Sequence, residues 1–427
     1  MTALGLVEDV KRTLYRDDAF NESKYPLDDK IGLLEIDGIR SRYTQVFAWN
    51  TARLYAELTE ADAALIINDM LSIKIDKTQV GKIGQAVAEN YINPVDVGVS
   101  IPEGQTDTER IEEVTEGMEG HRPCENVAVE GFLAEKLREL EARSDRDVII
   151  QAAVDGIIDG VDNAEATQNV LYLSSDGTGV PGLRRELSDN GKDGGRAGTF
   201  EAKIGCAFRQ GFTSNGTPIL DGGKIVRIPE TTKYMGTTDK IDGFRPRFTE
   251  FAYQNGLLNA GQIVFLSDGA SWLKNTQVSL CPNAIAIVDF FHAIEHLDDV
   301  IKELRFHNSK KRLKFAATCR KLLELGDIEQ LITHIRSKAN QSNSKNVEKK
   351  LAYFEGNAER MRYGLFRAVG LFIGSGVIEA ACKTIVGKRL KNAGMHWSKK
   401  NANGVIALRC AICSNEFNTS EPIPLAA

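Results

Sequence analysis

The spacing of apolar residues changes along the chain. Over residues 44–90 apolar side chains recur every three or four positions, which is typical of amphipathic helices. From about residue 166 to 296 they form short runs or alternate with polar residues, which is typical of strands. Residues 297–370 return to helical spacing and are rich in Lys, Arg, Leu and Glu. The pattern therefore predicts an α/β protein in which a strand-rich region lies between helical ones.

The strand-rich region has a characteristic order of elements. Three strands come first, then a helix, then two more strands. This is the order of the ribonuclease-H-like fold, in which the first and fourth strands are neighbours. The predicted strands cover residues 170–175, 201–209, 223–229, 262–266 and 283–288, and the predicted helix lies near 244–256.

Three acidic residues follow this framework. Asp176 lies in Ser-Ser-Asp-Gly-Thr-Gly after the first strand, and Asp268 lies in Leu-Ser-Asp-Gly-Ala after the fourth. Because each aspartate meets a glycine at once, we expect each carboxylate at the exposed end of a strand. Glu379 begins a predicted helix over residues 377–390. A single Asp-Gly pair would be read as a surface turn, but the ordered trio favours a metal site.

The chemistry of such a trio is that of phosphoryl transfer. Hard divalent cations prefer oxygen ligands, and two such ions can stabilise both the attacking and the leaving oxygen of an in-line displacement. We therefore predict that Asp176, Asp268 and Glu379 hold two Mg²⁺ or Mn²⁺ ions. Without ions the carboxylates should repel one another, which raises their pKa values. Asp289, after the fifth strand, is a fourth carboxylate that could replace one of the three.

The N-terminal helices include a possible helix-turn-helix. Residues 61–71 form one amphipathic segment, residues 72–76 a break, and a second helix begins at 77. The second helix has an apolar face and an outward polar face that could reach a DNA major groove. A plain helical hairpin packed on the main domain fits the sequence about as well. The outward residues are Lys77, Thr78, Gln79 and Lys82.

Charge and composition limit the function classes. The chain has 427 residues, enough for two or three domains. Its formal charge of −6 is not typical of a nucleic-acid binder, but base concentrates locally in residues 302–314 and 383–409. Acid concentrates in residues 103–119. The local field governs contact with a phosphate backbone.

Other sequence features favour a cytoplasmic protein. The N-terminus has neither the basic start nor the apolar core of a secretory signal, and no apolar stretch is long enough to span a bilayer. Seven scattered cysteines argue for a reducing compartment. Cys410 and Cys413 form the only CxxC pair, which we interpret as small core residues because no second pair stands at zinc spacing.

At four motifs the chain resembles the ISKra-type insertion-sequence transposases, a bacterial family related to the Mutator-like group with Asp-Asp-Glu active sites. The resemblance covers roughly residues 40–413. It departs from the family in lacking an N-terminal cysteine-rich zinc knuckle, and in Ser267 and Ser271, which replace a commoner glycine and proline. The motifs are residues 176–181, 267–273, 288–297, and 373–383 running on to 389–397.

The resemblance implies a DNA transposase that cleaves transposon ends and transfers strands with two metal ions. Its expected partners are the terminal inverted repeats, the target DNA and further copies of itself, as a homodimer or larger assembly in the bacterial cytoplasm and nucleoid. In related transposases a Cys or Asp followed by His lies near the site. His292 is therefore expected to contact the scissile strand or orient a ligand; alternatively it is a helix-start histidine bonded to Glu295.

The basic run after Glu379 predicts further contacts with DNA. Basic side chains beside an aromatic suit a cleft that holds phosphates and an unstacked base. An ordinary solvated face with the tryptophan in the core is the alternative. The residues are Lys383, Arg389, Lys391 and Trp397.

These interpretations divide the chain into six parts. In chain order they are a helix-turn-helix-like domain, an acidic linker with a helix, the first part of the ribonuclease-H-like domain, an all-helical insertion, the C-terminal part of the catalytic domain and a tail. A ribonuclease-H-like nuclease and a DNA-binding regulator derived from a transposase are the alternative functions. The predicted boundaries are 1–98, 99–165, 166–296, 297–371, 372–415 and 416–427.

Overall fold

A computed structural model gives the architecture of most of the chain. Three parts lie outside the described residues: the predicted acidic linker apart from a short helical piece near 140, most of the segment 188–199 between the first two strands, and the tail beyond 417. The residues that the structure describes are 15–17, 22–24, 33–36, 39–71, 74–92, 138–143, 145, 170–183, 198–211, 220–221, 224–225, 227–342 and 346–417.

A five-stranded mixed sheet lies at the centre of a mixed α/β fold, as the pattern predicts. The strand order is β5-β4-β1-β2-β3. β1 pairs in parallel with β4 and β4 with β5, whereas β1–β2 and β2–β3 are antiparallel. The strands are β1 Val170–Pro181, β2 Thr199–Gln210, β3 Arg227–Thr237, β4 Gln262–Ser267 and β5 Ile285–Val288.

Both faces of this sheet are covered, which explains why all six residues of β4 are buried. On one face Leu171 and Phe265 pack with α4 (Ile241–Gln254) and α5 (Ser271–Leu280). On the other face Tyr172 and its neighbours belong to a second, larger core. The alternation along β1 therefore directs successive side chains into two different cores.

The N-terminal helices are α1 (Gln45–Glu57), α2 (Glu60–Leu71) and α3 (Lys77–Ile92). The predicted segment 61–71, the break and the restart at 77 agree with these bounds. α1 and α3 pack against α13 (Lys399–Cys413) and share its hydrophobic core. The three helices are thus continuous with the core of the sheet-bearing part, as the alternative of a packed helical hairpin expects.

The block after β5 is helical wherever the structure describes it, in agreement with the predicted insertion. The block begins directly after β5, and its two ends lie next to each other. The Phe290 amide at its start donates to the Ile373 carbonyl just beyond its end at 2.9 Å. The helices are α6 Phe290–Glu303, α7 Ser309–Leu325, α8 Ile328–Ser342, α9 Val347–Asn357, a 3₁₀ turn Ala358–Met361 and α10 Tyr363–Ala368.

The helix predicted over residues 377–390 is present but not uniform. It begins as α11 (Gly376–Ala381), passes through a π-helical segment (Cys382–Gly387) and ends as α12 (Lys388–Leu390). The π segment widens the helix just after Glu379. Such segments are frequent at functional sites.

One strand prediction needs correction. The third strand is Arg227–Thr237 rather than 223–229, because Lys224–Ile225 pairs with Leu220–Asp221 and not with the central sheet. Two further antiparallel pairs of short strands, Tyr15–Asp17 with Glu22–Lys24 and Leu33–Ile36 with Ile39–Thr44, were not predicted. The described helices include none with the length and apolar character that crossing a membrane requires.

Candidate metal centre at the edge of the parallel strands

Three aspartates meet where the parallel strands end. Leu266 of β4 pairs with Ser174 of β1, and Ser267 pairs with Val288 of β5. Two residues beyond that β1 pair comes Asp176, directly after Ser267 comes Asp268, and directly after Val288 comes Asp289. Neighbouring parallel strands end at the same edge of the sheet, so these three carboxylates share that edge.

Asp176 is not at a strand end, contrary to the prediction. β1 continues to Pro181 because residues 175–181 keep pairing with β2, and Asp176 itself stands opposite Ile204. Its side chain is half-buried and accepts a 2.7 Å bond from the Gly177 amide. Burial raises the pKa of Asp176, and the negative charge of Asp268 raises it further. The predicted repulsion between clustered carboxylates is therefore present at Asp176.

Asp268 forms the Asp-Gly turn and is also a member of the acidic edge. Its Oδ1 accepts a 2.8 Å bond from the Ala270 amide. Gly269 has a φ of +89°, a left-handed conformation that favours glycine. The turn contact described here uses only Oδ1 of the carboxylate. The turn interpretation and the metal-site interpretation are therefore compatible.

Asp289 is fully buried and connects two distant segments. Its Oδ1 accepts a 2.7 Å bond from the His292 amide, which caps α6, and its Oδ2 accepts a bond from the Ser375 amide. Burial alone would raise the pKa of Asp289, but the bonds from His292 and Ser375 outweigh it and hold the pKa below its usual value. Ser375 immediately precedes α11, so Asp289 fastens the helix that carries Glu379 to the end of β5.

His292 carries a positive charge at neutral pH. Its Nδ1 lies 3.4 Å from Asp289 Oδ1, and this contact raises the pKa of His292 to about 9. The negative charges of Glu295 and Asp268 act in the same direction. The hydrogen-bond partner of the imidazole is therefore Asp289, and Glu295 contributes only through its charge.

The most compact potential ligand group differs from the predicted trio. Ligand atoms of Asp289, His292 and Glu379 lie within 4.8 Å of one another, whereas Asp176 and Asp268 do not join them in a group of that size among the described residues. The bond from the Ser375 amide to Asp289 brings Glu379 beside Asp289 and His292, while the same helix also reaches β1, where Cys382 Sγ donates to Asp176 Oδ2 at 3.6 Å. Carboxylates of Asp176, Asp268, Asp289 and Glu379 thus line one edge, and carboxylate oxygens are ligands that hard divalent cations prefer.

The basic residues after Glu379 fall into two classes. Lys383 is 80% exposed with Nζ 3.9 Å from Glu379 Oε2, and exposed Lys391 donates to Thr178 Oγ1 at 2.6 Å. Both lie beside the acidic edge. Their side chains are accessible to a ligand there.

Arg389 and Trp397 are buried, and Trp397 packs in the core as the alternative prediction expects. Arg389 is 2% exposed and donates to the Tyr55 carbonyl at 3.1 Å. Its guanidinium lies 4.8 Å from the centre of the Trp397 ring, and the indole donates to the Leu390 carbonyl at 3.1 Å. The end of the helix turns these side chains inward, onto α1.

Three of the four residues predicted to contact DNA on α3 are exposed: Lys77, Thr78 and Lys82. Gln79 is half-buried and has a local task. Its Oε1 accepts from the Asp76 amide at 3.0 Å while Asp76 Oδ1 accepts from the Gln79 amide at 2.9 Å. This reciprocal capping box fixes the start of α3, so Gln79 is a helix-capping residue.

Ion pairing divides the helical block into two surfaces. Arg320, Arg336 and Arg362 are ion-paired, as in Arg320 with Asp298 and Arg336 with Glu348. At the start of α7, in contrast, four cations are exposed and form no ion pair with any described residue. We call them the basic start: Lys310, Lys311, Arg312 and Lys314.

Two residues next to the acidic edge were not predicted. Tyr353 donates from its hydroxyl to the Asp268 carbonyl at 2.9 Å, and Arg360 donates to Ser267 Oγ at 2.7 Å. Both lie in a helical region far along the chain from the strands, where their spacing matches ordinary helix periodicity. Only the way the block folds back onto the sheet brings them to the turn.

Comparison with known proteins adds no family assignment. Neither the protein-family models nor the curated proteins searched contain a match to this sequence. A functional interpretation therefore depends on the residues and on the geometry of the acidic edge.

Proposed function

We propose that the chain is a metal-dependent DNA transposase with a ribonuclease-H-like catalytic domain. The observation that carries the proposal is the acidic edge, where Asp268 and Asp289 follow β4 and β5, Asp176 lies within neighbouring β1, and Glu379 stands beside Asp289. The strand order β5-β4-β1-β2-β3, with the first three strands antiparallel and the last two parallel, supports the ribonuclease-H-like assignment. The helical block inserted before Glu379 supports a transposase over a minimal nuclease.

The side chains at the edge have separable tasks in this proposal. Asp176, Asp268 and Glu379 are the ligands we assign to two Mg²⁺ or Mn²⁺ ions. When bound, these ions activate the attacking oxygen and stabilise the leaving one. His292 is positively charged and attracts a phosphate oxygen of the scissile strand. Asp289 holds both the imidazole and, through the Ser375 amide, the start of α11.

The proposal is tested on DNA that flanks the coding region. Wild-type protein with Mg²⁺ or Mn²⁺ should cleave this DNA at defined ends. Asp268→Asn should reduce the cleavage rate by at least about 1,000-fold, because it removes a metal ligand, while DNA binding stays near normal. Asp298→Asn is the matched control, since Asp298 is on the surface of α6 and pairs with Arg320. Wild-type cleavage rates in Asp268→Asn would refute the proposal.

The same experiment separates the alternative functions. A ribonuclease-H-like nuclease would cut without preference for the flanking ends and would not join them to a target. A DNA-binding regulator would protect the ends and leave every strand intact. Cleavage at the ends followed by joining to target DNA is the outcome that the transposase proposal expects.

The basic start of α7 is the surface that we assign to the DNA backbone. Four unpaired cations on one helical turn attract phosphates and release counterions. Replacing Lys310, Lys311 and Arg312 by glutamate should weaken binding and reduce the slope of log affinity against log salt by about 0.9 for each lost phosphate contact. Arg336→Glu, on an ion-paired part of the same block, should leave the slope unchanged. An unchanged slope in the triple variant would mean that these side chains are solvated and do not contact DNA phosphates.

Recognition of the ends is assigned to the exposed side of α3. Because α1 and α3 share a core with α13, the full chain is the right material for this test. Lys77→Ala combined with Lys82→Ala should remove footprint protection of the ends but retain nonspecific binding. Lys74→Ala, an exposed lysine in the preceding turn, is the control. Protection that survives the double substitution would assign recognition elsewhere, with the helical block as the next surface to test.

A further inference from the structure

The helical block supports the acidic edge directly as well as presenting basic residues to DNA. We infer that Tyr353 and Arg360 are positioning residues that fix the turn Ser267–Asp268–Gly269 and thereby the Asp268 carboxylate. This inference rests on the proposed function, since it concerns the same metal site. It assigns a task to one half-buried and one buried side chain of the block that the proposed chemistry does not otherwise use.

Tyr353, on α9, contacts the turn Ser267–Asp268–Gly269 in two ways. Its hydroxyl donates to the Asp268 backbone carbonyl at 2.9 Å. Its ring covers Gly269 so closely that a Cβ placed there would lie 2.9 Å from the ring carbon Cε2. Together with the left-handed φ of Gly269, this contact restricts both the turn and the residue that occupies it.

Arg360, in the 3₁₀ turn after α9, holds the preceding residue. Its Nη2 donates to Ser267 Oγ at 2.7 Å and its Nη1 donates to Asn357 Oδ1 at 2.9 Å. Asn357 in turn donates to the Tyr353 carbonyl at 2.8 Å. The two positioning residues and the turn are therefore connected through one chain of hydrogen bonds.

Arg360 is a costly residue to place here. It is 8% exposed, and its Nε has no hydrogen-bond partner among the described residues. Burying a guanidinium that is only partly paired disfavours folding. Its positive charge lies close enough to interact with the Asp268 carboxylate. The buried guanidinium lies next to the acidic turn, and its burial disfavours folding. Its position is therefore better explained by orienting that turn than by stabilising the helical block.

Tyr353 also connects the turn with α6. Its ring stacks on the His296 ring with centroids 3.8 Å apart, one helical turn after His292. Burial raises the pKa of Tyr353 above its usual value, so the hydroxyl stays protonated as a donor. Tyr353 therefore contacts both the Asp268 turn and α6.

A purely structural role is distinguishable because α9 has a second anchor. Lys350 donates to the Asp299 carbonyl at 3.1 Å and to Glu303 Oε1 at 2.9 Å, which joins α9 to α6 without contacting the turn. Lys350→Met therefore loosens the same helix but leaves the Asp268 turn untouched. It is the matched control for Tyr353→Phe, which keeps the ring and removes only the hydroxyl.

The test is Mn²⁺ affinity in the full chain without DNA, measured by electron paramagnetic resonance of free Mn²⁺, together with the melting temperature of the metal-free protein. Tyr353→Phe should raise the Mn²⁺ dissociation constant by about 10-fold, the usual effect of losing a residue that orients a ligand. Lys350→Met should change it less than about 2-fold while lowering the melting temperature at least as much as Tyr353→Phe does.

Three further variants guard against misfolding. Ser267→Ala removes the acceptor for Arg360 and should also weaken Mn²⁺ binding, and Arg360→Lys should weaken it less than Arg360→Met does. If wild type binds Mn²⁺ and both Tyr353→Phe and Ser267→Ala bind it equally well, the inference is overturned and the proposed function stands. If wild type neither binds Mn²⁺ nor cleaves DNA, the proposed function fails and the inference with it.

Discussion

Two regions of this molecule differ in how their buried charges are compensated. Between α1 and α13, Arg389 and Arg409 are each 2% exposed, and each donates to at least one backbone carbonyl. Arg409 donates to the carbonyls of Thr384 and Ala56 and to the Glu57 carboxylate, each within 3.2 Å. These guanidinium groups join the N-terminal helices to the rest of the core.

The acidic edge has no such balance. Four carboxylates converge there against the charge of His292, of Arg360 behind the turn and of exposed Lys383. Burial and the neighbouring Asp268 raise the pKa of Asp176, which means that its charged form is disfavoured. The comparison teaches that the buried guanidinium groups are compensated by hydrogen bonds, whereas charge at the acidic edge is left partly uncompensated, a cost that the proposed function explains by cation binding.

The largest effect on stability should come from the arginine interface. Arg409→Met leaves the buried carbonyls of Thr384 and Ala56 without their donors, so the free energy of unfolding should fall by about 3 kcal/mol. Urea denaturation measures this. Arg320→Met, which breaks an exposed pair with Asp298, should cost less than about 1 kcal/mol. Equal losses in the two variants would remove the distinction between the regions.

A smaller effect of opposite sign is expected at the acidic edge. Asp176→Asn replaces a disfavoured charge by a neutral isostere, so the metal-free protein should be at least as stable as wild type at pH 7. Since the pKa is raised in the folded state, the advantage of the variant should shrink as the pH falls and Asp176 becomes protonated. Urea titrations at pH 5 and pH 7 measure both. A variant clearly less stable than wild type at pH 7 would contradict the comparison.

The smallest effect concerns His292. Its pKa is raised to about 9 by Asp289, so the pair stabilises the metal-free fold fully below the ordinary histidine pKa, and this stability is lost as the pH rises through about 9. Because the side chain is 36% exposed, solvent screening keeps the contribution near or below about 1 kcal/mol. The stability difference between wild type and His292→Gln should therefore shrink from pH 6.5 to pH 9.5. A stability difference that grows from pH 6.5 to pH 9.5 would contradict the positive charge assigned to His292 in the folded protein.

Local patterns in the sequence predicted elements better than contacts. The apolar runs of β1, β4 and β5, the helix 61–71 and the helical character of the inserted block were found because each depends on residues close in sequence. The pairing of Leu33–Ile36 with Ile39–Thr44 was missed although its sequence carries a hairpin signal, since Leu34, Ile36 and Ile39 flank an Asp-Gly dipeptide; the other short strands have few apolar residues. The π-helical segment after Glu379 leaves no such local signal.

The candidate site was predicted in its acidic character but not in its grouping. That Glu379 lies with Asp289 and His292 follows from the Ser375 bond, which joins segments on either side of the helical block. The inward turn of Arg389 and Trp397 depends on packing against α1, which a basic run does not reveal. Tertiary contacts of this kind have no fixed spacing along the chain.

The most direct test of the acidic edge is the location of bound metal. Crystals of the full chain soaked in Mn²⁺ should show anomalous difference peaks beside the carboxylates of Asp176, Asp268 and Glu379. The peaks should disappear in Asp268→Asn crystals treated identically. An edge without any peak under these conditions, or peaks that persist unchanged in Asp268→Asn, would contradict the assignment of this edge as a metal centre.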